Sequence, residues 1–268
     1  MREDVQEAGS KRRNCLDLSG RVAVVFGGTS GLGKEIALGL AEHGADVVPA
    51  GRREELLKET CEQINSLGRR SIHRTVDITN RGSITEFRDA ALERMGRVDI
   101  LVNAAGTTFK KPTVNVTDAE WAALFDTNLT GVLHTCQAFY APLKMNGVGR
   151  VINIASLGSY LAFHEVAPYC ASKSAVLSLT RSLACEWARD RICVNAIAPG
   201  VFPTELNSKL LAGTKRGDEI LMRTPMGRFG NARELIGAAV LLASDGASFI
   251  TGQCLAVDGG YLASGVNS

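Results

Sequence analysis

Short runs of valine, isoleucine and alanine recur along the chain, separated by longer segments with helical spacing. They are Val22–Phe26, Asp46–Ala50, Ser71–Val76, Val98–Asn103, Arg150–Ala155, Ile192–Ala198 and Cys254–Val257. Because they are continuously apolar rather than alternating, they fit parallel strands covered by helices on both faces. Strand–helix alternation of this kind predicts an α/β fold with a doubly wound parallel sheet of about seven strands, binding its ligands at the strands' carboxyl ends. Pro49 conflicts with a fully paired second strand, since it removes a ladder donor, and pairing is expected to end there.

At 268 residues, the chain is long enough for two small domains or one large one. No Pro/Gly/Ser-rich linker and no internal repeat interrupts the series, so a single domain over residues 18–268 is expected, behind a disordered tail at 1–17. With 45% hydrophobic and 22% charged residues, neither a disordered nor a fibrous chain fits. The net charge of +2 and the absence of any basic run longer than Lys11-Arg12-Arg13 give no footprint for nucleic acid or a membrane surface. Seven scattered cysteines without a Cys-x-x-Cys pair suggest reduced thiols and a cytoplasmic location, not a disulfide frame or a zinc site. The longest apolar run, Ile236–Ala243, is far short of the roughly 18 residues of a membrane span.

The first run leads into Gly27-Gly28-Thr29-Ser30-Gly31-Leu32-Gly33-Lys34, just before a helical segment. Glycines at 27, 31 and 33 would permit a tight turn and close approach of a pyrophosphate to backbone amides at a helix N-terminus, a Rossmann-type arrangement. After the second run, where an NAD site commonly carries an acid for the ribose 2′-hydroxyl, the chain reads Gly51-Arg52-Arg53. A guanidinium suits the 2′-phosphate of NADP, so NADP(H) is preferred and NAD(H) possible; alternatively both arginines are solvated at a helix start. Asp77 is placed either to meet the adenine amino group or to cap the next helix, as is Thr79.

Tyr169 and Lys173 stand one helical turn apart. For proton transfer near neutrality the tyrosine pKa must fall by about 3 units, roughly 4 kcal/mol. A neighbouring ammonium, helped by an oxidised nicotinamide, supplies such a shift. Ser156, after the run Arg150–Ala155, would sit at a strand's carboxyl end, where its hydroxyl can meet a substrate carbonyl.

Together these motifs resemble the short-chain dehydrogenase/reductase family from Leu18 to the C-terminus. Gly27-x-x-x-Gly31-x-Gly33 matches the family's cofactor loop, Asn103-Ala104-Ala105-Gly106 its Asn-Asn-Ala-Gly turn, and Pro199-Gly200 its second cofactor loop. Asn128, Ser156, Tyr169 and Lys173 stand in the order of its catalytic tetrad. The resemblance implies that Tyr169 is the general acid or base and Ser156 holds the substrate oxygen. It further implies that Lys173 lowers the tyrosine pKa and binds the nicotinamide ribose, while Asn128, in a helix, anchors a proton-carrying water chain. The cofactor is implied to lie against Gly27, Thr29, Ser30, Gly31, Leu32, Gly33, Arg52, Arg53, Asp77 and Ile78. On the opposite side it would meet Asn103, Ala104, Ala105, Gly106, Tyr169, Lys173, Pro199, Gly200, Phe202 and Thr204, with no metal. Two departures, Phe26 for the usual Thr and Ala104 for the second Asn, each remove a polar group that helps fix these loops.

Leu157–Pro168 and a lid over Val201–Gly230 are expected to line the substrate pocket, with Leu157, Tyr160, Leu161, Phe163, His164, Glu165, Glu205 and Asn207 as candidates. Thr204-Glu205-Leu206-Asn207, Thr224–Phe229 and the ending Val257–Val266 look like sequences grouped with gluconate 5-dehydrogenases, implying a sugar acid or polyol substrate. The alternative is a 3-oxoacyl carrier-protein reductase, which needs a basic patch drawn from Lys209, Lys215, Arg216 and Arg223. A non-catalytic NADP(H) sensor is a further alternative, against which the intact Tyr169–Lys173 pair counts. A homotetramer is implied, built through the helices of Asn128 and Tyr169 and the C-terminal strand.

Overall fold

In the computed structural model, residues 14–204, 211 and 213–267 are described. Six strands form the sheet: β1 (Val22–Phe26), β2 (Asp46–Ala50), β3 (Ile100–Asn103), β4 (Arg150–Ile154), β5 (Cys193–Pro199) and β6 (Cys254–Val257). All neighbours are parallel, in the order β2-β1-β3-β4-β5-β6. The helices are α1 (Gly31–Glu42), α2 (Glu54–Ser66), α3 (Arg81–Met95), α4 (Asp118–Phe125), α5 (Gly131–Met145), α6 (Ala167–Trp187), α7 (Lys215–Arg223) and α8 (Ile236–Ala243).

Side chains alternate along the strands, and both faces are covered because both are apolar. Ala23, Val25, Val47, Val102 and Ile152 pack on one side with Ile36 and Leu40 of α1 and Ala239 and Val240 of α8. Val22, Val24, Phe26, Leu101 and Val151 pack on the other with Phe87 of α3, Phe139 of α5 and Leu183 of α6. The single-domain, doubly wound reading holds, with six strands in place of about seven.

Ser71–Val76 is the run that does not become a strand, and Pro49 explains why. Val47 donates its amide to the Arg70 carbonyl, and the Gly51 carbonyl accepts from the Val76 amide, both at 3.0 Å. The outward-facing residue between them is Pro49, which has no amide to give. In that register its acceptor would be the Ile72 carbonyl, which takes a bond from the Cys61 thiol instead (3.4 Å). Burial pushes the Cys61 pKa up, which keeps the thiol a donor. Against β1 the ladder does not end at Pro49 but runs on through it to Ala50; what the proline removes is one donor on the outer side of β2.

The strand order reverses between β1 and β3, so the loops after these two strands flank a crevice at the sheet's carboxyl edge. At the other end of the chain, Cys15 already touches the body, its carbonyl accepting from the Gly246 amide at 3.0 Å.

Candidate active site

The loop after β1 is compressed against the loop after β3. Gly27 has φ +78°, and a β-carbon there would lie 2.6 Å from the Ala105 nitrogen; at Gly33 it would lie 2.2 Å from the Gly27 carbonyl oxygen. Only glycine fits either place, and the loop's backbone is thereby pressed toward the crevice. Over Gly31 the space is open, the nearest atom to a β-carbon there being Thr204 Cγ2 at 3.7 Å. Ser30, the N-cap of α1, makes no capping bond through its side chain, and the helix's first turn holds no acid. The positive end of the α1 dipole and its first amides thus face this opening, and the residues fit a pyrophosphate.

Ser30 Oγ instead accepts from Arg53 Nη2 at 2.6 Å, drawing the start of α2 over the loop. Arg52 beside it is exposed. A β-carbon at Gly51 would lie 2.8 Å from Thr29 Oγ1. Asp77 is committed locally: its carboxylate accepts from the Thr79 amide (2.9 Å) and hydroxyl (2.8 Å). Thr79's amide bond, with Arg52's charge a smaller contribution, holds that carboxyl below the usual carboxylate range. The cap of α3 is neither Asp77 nor Thr79 but Asn80, which accepts from the Ser83 amide at 3.0 Å.

At the end of β4, buried Ser156 Oγ accepts from the Gly158 amide at 3.0 Å. Tyr169 is half-buried at the start of α6. Burial pushes its pKa up, and a hydrogen bond with Ser156 opposes that rise. Lys173, one turn on, donates to the Ile154 carbonyl at 2.7 Å and lies 5.9 Å from the Tyr169 ring centre. Desolvation pulls the Lys173 pKa down to about 8. The protein alone therefore pushes both groups toward their neutral forms, and the lysine's closest partner is a carbonyl, not the phenol.

Asn128 sits in a π-helical turn, Asp126–Thr130, that joins α4 to α5. The extra residue of such a turn redirects side chains, and Asn128 is completely buried. Its Oδ1 accepts from the Thr107 amide (2.8 Å); its Nδ2 donates to the Thr107 carbonyl (2.9 Å) and to Ser172 Oγ (3.1 Å). The amide thus fastens the loop after β3 to α6. A β-carbon on Gly106 would lie 3.5 Å from both Asn128 Oδ1 and Lys173 Nζ, so the three meet at one point.

Several expected residues turn elsewhere. Asn103 is buried beneath its turn, donating to Asn153 Oδ1 (2.9 Å) and accepting from Thr135 Oγ1 (2.7 Å). Asn153 in turn donates to Thr180 Oγ1 at 2.9 Å. An asparagine inside the apolar run of β4 was the available signal for this network. The Phe202 ring packs into the core against Gly230. Ile78 is buried against Gly131. Gly200, after Pro199, donates to the Val257 carbonyl at 2.8 Å. Glu205, Leu206, Asn207 and Lys209 lie outside the described residues.

On the substrate side, a cavity of about 240 Å³ opens between Leu161–His164 and α7. Leu157 lies under it in an apolar cluster, whereas Tyr160 turns outward toward Cys254, and burial there raises its pKa to about 12. Glu165 does not line the cavity. It adopts φ +63°, its carboxylate lies 3.1 Å from Lys110 Nζ, and its carbonyl accepts from the Lys111 amide. No helix among the described residues is long and apolar enough to cross a membrane.

A glycine cradle at the sheet's reversal and a tyrosine–lysine pair facing a buried serine beside it describe an oxidoreductase that works with a bound nucleotide. Known proteins with the same architecture agree. A family model described as enoyl-(acyl carrier protein) reductase matches residues 27–262. A gluconate 5-dehydrogenase of Gluconobacter oxydans (strain 621H) is 39% identical over 250 residues, 93% of this chain and 97% of that protein. A 2-dehydro-3-deoxy-D-gluconate 5-dehydrogenase of Escherichia coli (strain K12) is 40% identical over 251 residues, 93% of this chain and 98% of that one. The crystal structure of a gluconate 5-dehydrogenase from Burkholderia cenocepacia J2315, in complex with NADP and tartrate, has a TM-score of 0.90. It is 38% identical and covers 94% of this chain and 98% of its own. The chain belongs to the short-chain dehydrogenase/reductase family of NAD(P)-dependent oxidoreductases acting on CH–OH groups.

Proposed function

We propose that the protein interconverts a ketone and a secondary alcohol on a sugar acid or polyol, in the manner of a gluconate 5-dehydrogenase, with NADP(H) as cofactor. The observation that carries this reading is the grouping of Tyr169 with Ser156 and Lys173, the lysine meeting Asn128 beside Gly106 in the loop after β3. The names of the relatives support the substrate class. When bound, the nicotinamide gives or takes the hydride.

The chain's own residues manage the proton. Tyr169 donates it to the substrate oxygen in reduction and removes it in oxidation. Ser156 donates a hydrogen bond to the same oxygen and favours the phenolate. Lys173, held at the Ile154 carbonyl, would bind the nicotinamide ribose and resupply the proton to Tyr169. Asn128 is a positioning residue, holding Thr107 and Gly106 against Lys173. Burial pushes the tyrosine pKa up and the Ser156 hydrogen bond opposes it; the positive charge of an oxidised nicotinamide would act in the same direction as Ser156.

Choice of NADP rests on Gly51 and the two arginines. An acidic side chain at 51 would collide with Thr29, and the exposed Arg52 with the Arg53–Ser30 bond beside the glycine loop supports guanidinium recognition of a 2′-phosphate. Seven free cysteines support a cytoplasmic location.

Steady-state rates with 5-keto-D-gluconate and a panel of ketoses test the reading. We expect kcat/KM to be higher with NADPH than with NADH, and Arg52→Ala to erase that preference. Tyr169→Phe should lower kcat by about 10²- to 10⁴-fold while leaving NADPH binding intact. Absence of any turnover across the panel would overturn the reading.

A further inference from the structure

We propose that Arg216 and Arg223 form an anion subsite that holds the substrate's carboxylate; the inference rests on the sugar-acid reading above. Both lie on α7, seven residues and about two turns apart, so they share one helix face. Both line the 240 Å³ cavity. Arg216 Nη1 donates to the His164 carbonyl at 3.4 Å, and the Arg223 guanidinium lies 5.4 Å from the Tyr261 ring centre.

Neither guanidinium has a carboxylate within 4.0 Å among the described residues, although Glu219 lies between them on the same helix and lines the same cavity. Arg228, a few residues on, shows the contrasting state, its two terminal nitrogens 2.8 and 2.6 Å from the Glu234 carboxylate. An arginine without an acid, aimed into a cavity, keeps its planar donor pair for an incoming one. Two arginines against the one carboxylate of Glu219 leave the wall net positive.

Position gives the subsite its orientation. Leu161–His164 runs from the Ser156 turn toward α6, and Leu157, adjacent to Ser156, shares one apolar cluster with Ile220 and Tyr261. α7 therefore packs against the residue that follows Ser156, which sets the arginines of the cavity beside the segment leading away from the reacting groups. A hexonic acid reacting at carbon 5 carries its carboxylate at the far end of the carbon chain. With carbon 5 beside Tyr169, that end points into the cavity.

The test compares 5-keto-D-gluconate with L-sorbose, a ketose without a carboxylate, in the wild type, R216Q, R223Q and the double variant. We expect the double variant to lose about 10- to 100-fold in kcat/KM for the acid, nearly all of it in KM, and to keep its rate with L-sorbose. Equal losses on both substrates, or no loss on the acid, overturn the subsite. Loss confined to a carrier-protein thioester overturns it too and assigns the arginines to an acidic protein. A wild type that reduces L-sorbose but no acid refutes the substrate reading itself, and the subsite falls with it. Should neither be reduced, melting of the NADP-loaded protein decides: D-gluconate must raise the melting temperature of the wild type and not of the double variant. No rise in the wild type, or equal rises in both, again overturns the subsite.

Discussion

Lys173 ties the chemistry of the site to the stability of the fold. Its ammonium is buried and its pKa falls to about 8, whereas the unfolded chain keeps the ordinary value of about 10.4. Between these values the unfolded state binds more protons, so stability rises with pH; below about 8 both states are charged and the folded one bears the whole desolvation cost. That cost is about 3 kcal/mol at most. Lys173→Met should therefore flatten the rise in melting temperature between pH 8 and 10, measured calorimetrically against the wild type. Single residues of this kind were legible in the sequence where the chemistry fixes the residue type. Tyr169 lies against Ser156, with Lys173 one turn on and 5.9 Å from the tyrosine ring centre, the grouping that the spacing of these residues predicts. Asn103 was legible only in part, since the direction of a strand side chain depends on which face it shares. It lies on the same face as Leu101 and points toward α5, pairing with Asn153 in the next strand.

At the scale of elements, β2 shows how one residue decides whether a strand forms beside it. Pro49→Val supplies an amide opposite the Ile72 carbonyl and should extend pairing into Ser71–Val76. A gain of about 0.5–1.5 kcal/mol in urea unfolding is expected, with slowed exchange of the new amide. An unchanged midpoint would mean that the Cys61 thiol already satisfies that carbonyl as well as a backbone donor does. The proline is visible in the sequence, but which of the two neighbours of β2 it affects is not: the ladder with β1 runs past it, and apolar periodicity, blind to a missing donor on the outer side, still reads Ser71–Val76 as a strand. The π-turn at Asp126–Thr130 was invisible for a related reason. The surrounding segment has ordinary helical composition, and only the burial of a polar Asn128 betrays the inserted residue.

For the whole molecule, assembly is the property the fold leaves most exposed. We propose a homotetramer built through α4–α6 and the C-terminal strand, which light scattering at micromolar concentration should report as four chains; a monomer would sink it. The exposed Leu255 on β6 and the fully exposed Phe249 just before it support the second contact. The two sheet edges differ in a way that bears on solubility. At β2 the outward ladder lacks a donor at Pro49 and is overlaid by residues 70–76, so a foreign strand finds no template there. At β6 no further strand pairs with the outer edge among the described residues, and Leu255 on it is exposed. A sheet that can be extended from one side only would have its growth capped once two such sides met, so pairing through β6 would close into a finite particle where a sheet open at both edges could run on into a fibre.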